Sequence, residues 1–591
     1  MAIKIAILDS GVRADHPAFN KTRVEGFSLI VDQGKVYPEK EFFDQIGHGT
    51  AIFYLIMKQL KNAEITNIKI YDKNYQLNQD TFELLLTYIY ENYYFDVINI
   101  SMGFLSCGSI AALQSLFDKF YQKGSIVVSA FDNNGAVSFP AALCHVIGVD
   151  GQELAGSQEG FMYVENSIVN IVGKIRNMRV AWTSPDYIIV RGNSYLCASI
   201  TLKIAESLQN QKKFQLSQIC TSQHHNEKPV KAEVPFSISK AVVFPFNKEM
   251  HAIARYEEML SFEVAKYYSL RITGQVGRTA ADILPGCRNK KVIQDIDTVA
   301  WDEFDTLIIG HTGEQDRIIG AGYKMDLFQK SLAFGKNVYS LDPLPDEFKS
   351  GAFSSKLYSP GFDEKNLEKR FGKLYKTNKP VLAVIGTNSQ QGKFSLQLEL
   401  RKNFLRRGYT VGQIGTEATS PLFGFDEIFP CGYNGQVSLD LPQTIAAVNS
   451  MIWNITQKDV DIIIAGAQSG FIAYNDYNAM MYPIYHQLYF SALQPDAVIL
   501  CINPFDDVSF VRRTIYAAEG LSCGKVIGIV CFPFDVMSNW QGNFGKKMRI
   551  SKQREEELKK LYKTDLNKKV FMLDREDDIN KLVLDCINFF C

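Results

Sequence analysis

The sequence predicts an α/β protein built on mostly parallel sheets, and three observations lead to this fold class. Short apolar runs such as IKIAILDS and CHVIGVDG end in Gly, Ser or Asp, as buried strands do. Amphipathic stretches such as DTFELLLTYIYENYY lie between them, so strands and helices alternate. Hydrophobic residues make up 46% and charged residues 21% of the 591 residues, which is the composition of an ordinary globular protein.

The alternation continues in three blocks, in line with domains of about 100–200 residues each. The first block is 1–210, and the polar stretch 211–235, which shows no clear strand, is predicted to be a linker. Two further αβ blocks cover 236–350 and 375–591. The loops LDPLPDEF and YSPGFDEKN are the expected boundary between them.

Composition also limits the partners and the compartment. The formal net charge is −1, so we expect no nucleic-acid partner, and no apolar run reaches membrane-spanning length, so we expect no membrane partner. The eleven cysteines are scattered without metal-ligand spacing, which predicts free thiols in a reducing cytoplasm and no metal site. MAIKIAILDSGV is a strand running into a turn and lacks the features of a signal peptide, which also favours a cytoplasmic protein.

Three glycine-marked turns in the first block carry an acid, an imidazole and a hydroxyl. Asp9 ends the first apolar strand, where α/β folds build sites. His48 lies in GHGTA at a helix start, and Ser194 follows Gly192 directly before a long apolar helical run. Taken singly, each is typical of a cap or a turn. Their order along the chain, Asp then His then Ser, is that of the subtilisin form of the catalytic triad.

These motifs resemble those of the subtilisin-like serine proteases over about residues 1–205. ILDSGV with the following HP is similar to that family's Asp motif, GHGTA to its His motif and GNSYLCAS to its Ser motif. DVINISMG resembles the strand that lines the substrate cleft, and SIVVSAFDNNG resembles the segment with the oxyanion asparagine. The resemblance implies a subtilisin-like parallel-sheet domain at 1–210 with serine endopeptidase activity on a peptide or protein.

The resemblance also implies a role for each matching residue. Ser194 would attack the scissile carbonyl, His48 would transfer the proton, and Asp9 would hold the imidazole. Asn133 would donate to the oxyanion beside the Ser194 backbone N–H. The backbone of three consecutive residues would pair with extended substrate as an added strand, namely Ser101, Met102 and Gly103.

This sequence departs from the family's pattern at the oxyanion segment. Asn193 replaces the usual Thr and Ala198 the usual Pro, and both replacements are compatible with the fold. Asp132 stands where the family has Gly before the oxyanion Asn. A carboxylate aimed at a developing oxyanion would oppose catalysis, so the orientation of Asp132 decides whether the domain is active.

A second motif opens the last block. In KPVLAVIGTNSQQGKFSLQLEL, at 379–400, an apolar strand leads through a glycine-containing loop into an amphipathic helix. Backbone N–H groups of such a loop cradle phosphates, and its Lys adds a positive charge. Phe394 stands where Ser or Thr would hold Mg²⁺, so a later hydroxyl must serve instead. The predicted phosphate-binding residues are Gly386, Thr387, Gly392, Lys393 and Ser395.

The loop resembles that of dethiobiotin-synthetase-like P-loop proteins. Residues 235–585 resemble a mostly uncharacterised family of two-domain P-loop proteins, some of which are linked to amino-acid N-acylation. The resemblance implies a Rossmann-like α/β domain at 236–350, a P-loop NTPase-like α/β domain at 375–591, and a nucleotide with Mg²⁺ as ligand. In this family an acidic residue is expected at the end of one strand to organise Mg²⁺ and water, but Ala465 stands there. Glu417 is the replacement ligand that we consider.

Two functions from different classes remain open. The first is a cytoplasmic serine endopeptidase that acts on a specific client, such as in leader removal from a ribosomally made peptide. It would need no cofactor for proteolysis, and its C-terminal domains would recruit substrate, regulate, or form a homodimer. The second is a degenerate protease whose P-loop binds a ligand or transfers an acyl or phosphoryl group through Lys393. A ligand at the P-loop that gates proteolysis would combine the two.

Overall fold

In the computed structural model the chain forms two compact units. Unit 1 comprises residues 1–229 and 368–377, and unit 2 comprises residues 230–367 and 378–591. The structure describes residues 2–60, 62–71, 77–152, 160–210, 214–224, 234–313, 320, 322–348, 354–431, 437–474, 477, 482–536 and 547–591.

Unit 1 is built on a wide, mostly parallel sheet. Its strands are β1 (Ile3–Asp9), β2 (Glu25–Asp32), β3 (Lys35–Glu39), β4 (Ala63–Lys69), β5 (Val97–Ile100), β6 (Ile126–Ala130), β7 (Val146–Gln152), β8 (Phe161–Val164), β9 (Ile171–Lys174), β10 (Met178–Ala181), β11 (Tyr187–Val190) and β12 (Ser222–His224). The sheet order is β12-β8-β9-β7-β6-β5-β1-β4-β2-β3, and β10 pairs with β11 separately. The run from β9 to β2 is parallel throughout. The carboxyl ends of β1, β5, β6 and β7 therefore share one edge.

The described helices of unit 1 cover this sheet. They are α1 (His48–Met57), α2 (Gln79–Asn92), α3 (Ile110–Gln122) and α4 (Asn193–Asn210). Both α1 and α4 are apolar on most of their surface and contribute to one core with β1, with Ile52, Phe53 and Ile200 nearly inaccessible. Each of these two buried helices begins at a predicted catalytic motif, so the core itself fixes the position of the site.

Unit 2 contains two parallel sheets. The first consists of β13 (Lys240–Phe244), β14 (Glu263–Ser269), β15 (Ile293–Asp295), β16 (Thr306–Ile309), β17 (Asn337–Ser340) and β18 (Leu357–Tyr358), with α5 (His251–Arg255), α6 (Ala280–Ile283) and α7 (Tyr323–Ala333). Its order is β15-β14-β13-β16-β17-β18, and every neighbouring pair is parallel.

The second sheet of unit 2 carries the glycine-containing loop. The remaining strands are β19 (Phe362–Asp363), β20 (Val381–Gly386), β21 (Val411–Gly415), β22 (Glu427–Ile428), β23 (Val437–Ser438), β24 (Ile462–Gly466), β25 (Ala497–Ile502), β26 (Lys525–Cys531), β27 (Phe534–Val536), β28 (Lys547–Arg549) and β29 (Val570–Met572). The helices are α8 (Lys393–Arg406), α9 (Leu441–Thr456), α10 (Ile484–Leu493), α11 (Val508–Leu521), α12 (Lys552–Leu566) and α13 (Glu576–Phe590). The parallel order is β22-β21-β24-β20-β25-β26-β29, and β19-β23 and β27-β28 form separate pairs.

The two sheets of unit 2 share a hydrophobic core. Buried residues of the first sheet, such as Ile308 and Tyr339, belong to the same cluster as Leu398 and Phe423 of the second block. The Tyr339 hydroxyl donates to the backbone carbonyl of Ala418 at 2.8 Å. The α/β class with parallel sheets is confirmed, and the finer boundaries inside unit 2 stay a prediction.

The structure differs from the predicted boundaries at two places. Within the predicted linker 211–235, β12 pairs in parallel with β8, and 211–213 and 225–233 lie outside the described residues. The polar sequence SQH has no alternation that would mark a strand, so pairing with β8 alone defines it. In addition, 368–377 belongs to unit 1, although the P-loop block was predicted to begin at 375.

Among the described residues, no helix combines the length and the apolar character that are needed to cross a membrane.

Candidate active site

Asp9 and His48 form a hydrogen-bonded pair at the carboxyl end of β1. Oδ1 and Oδ2 of Asp9 lie 2.8 Å and 3.0 Å from Nδ1 of His48. The Asp9 side chain is 4% exposed and the His48 side chain 27% exposed. A buried carboxylate thus orients an imidazole that is open to solvent, and Nε2 is left for a reacting group.

Asp44 holds the start of α1, a role that the sequence analysis did not assign. This fully buried carboxylate accepts hydrogen bonds through Oδ1 from the backbone N–H groups of Ile46 and Gly47 and from the Ser10 hydroxyl, at 2.8–2.9 Å. Its Oδ2 accepts from the Thr50 N–H at 2.8 Å and from the Thr50 hydroxyl at 2.7 Å. The feature of the sequence that could have indicated this role is the position of an acidic residue four residues before His48.

Gly49 allows α1 to approach the turn that follows β1. A Cβ atom at this position would lie 2.1 Å from the carbonyl oxygen of Gly11, which is far inside van der Waals contact. Only glycine leaves room for this approach. The GHGTA motif thereby brings the ring of His48 within reach of Asp9.

The pKa of His48 is raised above its ordinary value of 6.5. Burial acts to lower this pKa, but the charge of Asp9 and its hydrogen bond to the ring, with a smaller contribution from Asp44, outweigh burial. The pair therefore favours the imidazolium, which is the form that a general base reaches after accepting a proton.

Ser194 lies in the first turn of α4 and is 9% exposed. Its hydroxyl donates to the backbone carbonyl of Ser101 at 3.1 Å. The ring of the next residue, Tyr195, lies 5.6 Å from the ring of His48. In the described part of the chain no hydrogen bond joins Ser194 to His48, so the structure brings two of the three predicted triad residues into contact and leaves the third bond unmade. Catalytic hydrogen bonds often tighten only when substrate binds.

Asn133 is exposed and its orientation is fixed by the residue before Ser194. The backbone N–H of Asn193 donates to Oδ1 of Asn133 at 2.8 Å, so Nδ2 is left for another acceptor. Gly192 has φ 143°, and a Cβ atom there would lie 2.9 Å from the same oxygen. The glycine before the Ser motif thus permits the contact between the two loops.

Asp132 turns its carboxylate into its own loop. Oδ2 accepts from the N–H of Asn134 at 2.8 Å and from that of Ala136 at 3.4 Å. The Asp132 N–H in turn donates to Oγ of Ser138 at 2.9 Å. The carboxylate therefore stabilises the loop that carries Asn133, which is a use that glycine could not supply.

The predicted substrate segment, Ser101 to Gly103, is anchored at both ends. Nδ2 of Asn99 donates to the Ser101 hydroxyl at 2.8 Å. Beyond the segment, Phe104 and Phe139 exchange backbone hydrogen bonds of 2.8 Å and 2.9 Å. Ser101 is buried, Met102 is half-buried and Gly103 is exposed. The pairing of this segment with substrate stays a prediction.

Asn193 connects the start of α4 to the end of β6 and to β7. Its Oδ1 accepts from the N–H of Gly151 at 2.8 Å. Its Nδ2 lies within hydrogen-bond distance of the carbonyls of Phe131 and Asp132, at 3.0 Å and 3.2 Å, and of Oδ1 of Asp150, at 3.1 Å. The sequence showed Asn193 as a replacement for Thr but gave no sign of these partners. Asp150 carried only the weak signal of an acidic residue within a strand.

The glycine-containing loop of unit 2 has the predicted strand–loop–helix form. Gly386 ends β20, Gly392 precedes α8 with φ 74°, and Lys393 begins the helix. Lys393 is buried, and its ammonium donates to the carbonyl of Asn388 at 2.6 Å. The Thr387 hydroxyl donates to the carboxylate of Asp506, a residue that the sequence analysis did not single out.

The residues after Lys393 do not fit a Mg²⁺ ion. The partly buried ring of Phe394 packs against the shared core, 5.6 Å from the ring of Phe423 and 5.5 Å from that of Phe425. Ser395, the predicted replacement, is hydrogen-bonded to the side chain of Tyr256. The first turn of α8 therefore directs neither residue to the loop as a metal ligand, because Phe394 packs against the core that the two sheets share and Ser395 contacts Tyr256 of the first block.

Burial shifts the titration of two groups near this loop. The pKa of Lys393 is lowered to about 8 by burial. The pKa of Glu417 is raised to about 7 by burial and by the charge of Glu249, while Lys393 acts in the opposite direction. Such shifts are common where a protein binds a ligand.

Three solved structures are similar to part of this chain. A cold-adapted subtilisin-like serine proteinase, Sphericase and the S41 psychrophilic protease are 20%, 17% and 18% identical over 37% of this chain, and the matches cover 79%, 80% and 80% of those chains. Their TM-scores are 0.30. A search among curated proteins found no match.

Two family descriptions match separate parts of the chain. Residues 1–234 match the subtilase family. Residues 369–511 match the P-loop domain of a family described as a domain of unknown function, DUF1611. The chain therefore carries a subtilase-family domain at its N-terminus and a DUF1611 P-loop domain in its C-terminal part.

Proposed function

We propose that unit 1 is a serine endopeptidase with Ser194 as its nucleophile. The observation that carries this proposal is the bond between buried Asp9 and Nδ1 of His48, at the sheet edge where Ser194 lies in the first turn of α4. Neither a cap nor a satisfied core histidine needs a buried carboxylate, an imidazole and a helix-start hydroxyl at one place.

The reaction follows from these positions. Nε2 of His48 accepts the proton of the Ser194 hydroxyl as Oγ attacks the scissile carbonyl, which requires Ser194 to rotate away from the Ser101 carbonyl. The Ser194 N–H and Nδ2 of Asn133 donate to the oxyanion. His48 then protonates the leaving amine. In the second half of the reaction, His48 accepts a proton from the water that attacks the acyl-enzyme and returns a proton to Oγ of Ser194 as the peptide acid leaves.

The client that we propose is a specific peptide or protein in the cytoplasm, such as the leader of a ribosomally made peptide. Support comes from the eleven cysteines, all of which are free in the structure, as expected in a reducing compartment. The segment at 101–103 would add the client as a strand, so backbone pairing would bind it and side-chain pockets would select it.

Labelling by a fluorophosphonate probe tests this proposal. Wild type should be labelled, and Ser194→Ala should lose labelling and lose peptide hydrolysis on the order of 10⁶-fold. Ser199→Ala is the matched control, because this hydroxyl is on the same helix and donates to the Tyr195 carbonyl of its own helix. Absence of labelling in a folded wild type, or equal labelling of Ser194→Ala, would contradict the proposal.

A second candidate function is binding of a phosphate compound at the loop before α8. The buried ammonium of Lys393, with its lowered pKa, favours this candidate, because its hydrogen-bond partner is the neutral carbonyl of Asn388 and a phosphate would supply the opposite charge. The ligand that we propose is a nucleotide or another phosphate, and no step through Mg²⁺ is assigned.

Thermal unfolding with ATP or inorganic phosphate tests this second function. A ligand at saturating concentration should raise the Tm of wild type by roughly 2 °C or more. Lys393→Met should lose the rise, whereas Lys402→Met, on the same helix, should keep it. A rise that survives in Lys393→Met would place the ligand elsewhere.

A further inference from the structure

The segment Glu368–Thr377 belongs to unit 1 although it lies far along the chain. The chain leaves unit 1 after residue 229 and returns to it for these ten residues. The subtilase match ends at 234, and the DUF1611 match at 369–511 includes most of the segment. Family boundaries thus assign to the P-loop domain a segment that the fold uses in the protease domain.

Backbone contacts attach this segment to the oxyanion loop, which we define as residues 132–137. The carbonyl of Leu374 accepts from the N–H of Val137 at 3.0 Å, and Leu374 forms a parallel bridge with Ala136. At the other end of the segment, the carbonyl of Lys369 accepts from the Ser167 hydroxyl at 2.9 Å.

Lys373 is one of two cationic side chains that this segment buries, the other being Arg370. The Lys373 side chain is 2% exposed, and Nζ lies 2.9 Å from Oδ1 of Asp150, whose side chain is 6% exposed. Nζ also lies 3.4 Å from the carbonyl of Asp132 and 5.0 Å above the ring of Phe131. A lysine is seldom buried unless its charge is compensated. Here the compensating carboxylate lies on β7, and the other two partners, Phe131 and Asp132, directly precede the predicted oxyanion asparagine.

The same two acceptors are also used by Asn193. Its Nδ2 lies 3.1 Å from Oδ1 of Asp150 and 3.2 Å from the carbonyl of Asp132. The backbone N–H of Asn193 donates a hydrogen bond to Oδ1 of Asn133. Ser194 is the next residue after Asn193 in the chain. Lys373 therefore shares its acceptors with the residue that orients the oxyanion donor and precedes the nucleophile.

Charge explains why Lys373 matters for this arrangement. Burial raises the pKa of Asp150, and the Lys373 ammonium opposes that rise. Without Lys373 the carboxylate would be buried without a counter-charge, and it would take up a proton or move. Either change alters the acceptor that Asn193 requires.

We propose that Lys373 is a positioning residue of the protease site, supplied by a segment outside the subtilase match to hold the Asp150–Asn193 pair and the oxyanion loop. This inference rests on the proposed function of unit 1. Lys373 touches no substrate atom; it acts through Asn193 on the placement of Asn133. The catalytic geometry of unit 1 would then depend on the contacts that 368–377 makes with the oxyanion loop and with Asp150.

Full-length variants test the proposal by steady-state hydrolysis of a p-nitrophenyl ester. Lys373→Met should lower kcat by about ten- to hundredfold, as a small misplacement of a catalytic group does, and change KM by less than about twofold. Lys376→Met is the matched control, because this lysine is exposed on the same segment, and its kcat should equal that of wild type. Fluorophosphonate labelling of Lys373→Met should slow in proportion to kcat.

Asp150→Asn and the double variant Asp150→Asn/Lys373→Met separate positioning from folding. The double variant leaves no unpaired buried charge, so it should fold even where Lys373→Met does not. Its kcat should be no lower than that of Asp150→Asn, because the two residues act through one pair. A folded Lys373→Met or double variant with wild-type kcat would overturn the inference while leaving the proposed function intact. An inactive wild type would overturn the proposed function instead.

Discussion

At the scale of single residues, Asp132 shows how a departure from a family pattern is resolved by structure. The sequence placed a carboxylate next to the predicted oxyanion donor, where it would oppose catalysis. The structure bonds that carboxylate to the N–H groups of Asn134 and Ala136. A short acidic side chain thus replaces the conformational freedom of glycine with hydrogen bonds that stabilise the same loop.

The His48 titration provides a prediction at this scale. His48 must be neutral to accept a proton, and Asp9 raises its pKa above 6.5, so kcat/KM should rise with pH through that raised value. Asp9→Asn removes the charge that raises this pKa, so the rise should move to lower pH while kcat falls about 10⁴-fold. Ester hydrolysis measured as a function of pH gives both quantities.

Asp15→Asn is the control for this experiment, because that carboxylate is 75% exposed and pairs with Arg13. Its pH profile should match that of wild type. An Asp9→Asn profile that rises at the wild-type pH would show that Asp9 does not set the pKa of His48.

At the scale of elements, the starts of two buried helices define the site. The buried carboxylate of Asp44 accepts five hydrogen bonds at the start of α1, and Asn193 connects the start of α4 to β6 and β7. The GHGTA and GNS motifs predicted both helix starts correctly. The polar residues that hold these starts come from neighbouring turns and strands, so local sequence did not reveal them.

The role of Asp44 leads to a prediction about stability. Asp44→Ala should lower the free energy of unfolding by roughly 3 kcal/mol or more, because it leaves several buried donors without an acceptor. Urea unfolding monitored by circular dichroism measures the loss. Asp32→Ala, at the exposed end of β2, should change stability by less than about 0.5 kcal/mol. Equal effects of the two substitutions would mean that Asp44 is not the anchor of α1.

At the scale of the whole molecule, the chain does not divide where the sequence motifs do. Unit 2 joins two sheets through a shared core that includes Tyr339 and Phe423, so the blocks predicted as separate Rossmann-like and P-loop domains form one compact unit. Unit 1 takes back 368–377, and Lys373 brings a buried charge to the oxyanion loop. If Lys373 positions the protease site, the active unit is completed only after the middle block has been synthesised.

The sequence by itself determined the α/β class, the subtilase-type motifs, and the strand–loop–helix form around Lys393. These features depend on local patterns: apolar runs, glycine at tight turns, and residue types at fixed spacing along one segment. Tertiary structure alone decided the packing of Phe394 against the core that the two sheets of unit 2 share and the pairing of Lys373 with Asp150. Each of these depends on contact between segments that are distant in sequence, and the pattern of one segment carries no information about which distant partner will desolvate it or bind it.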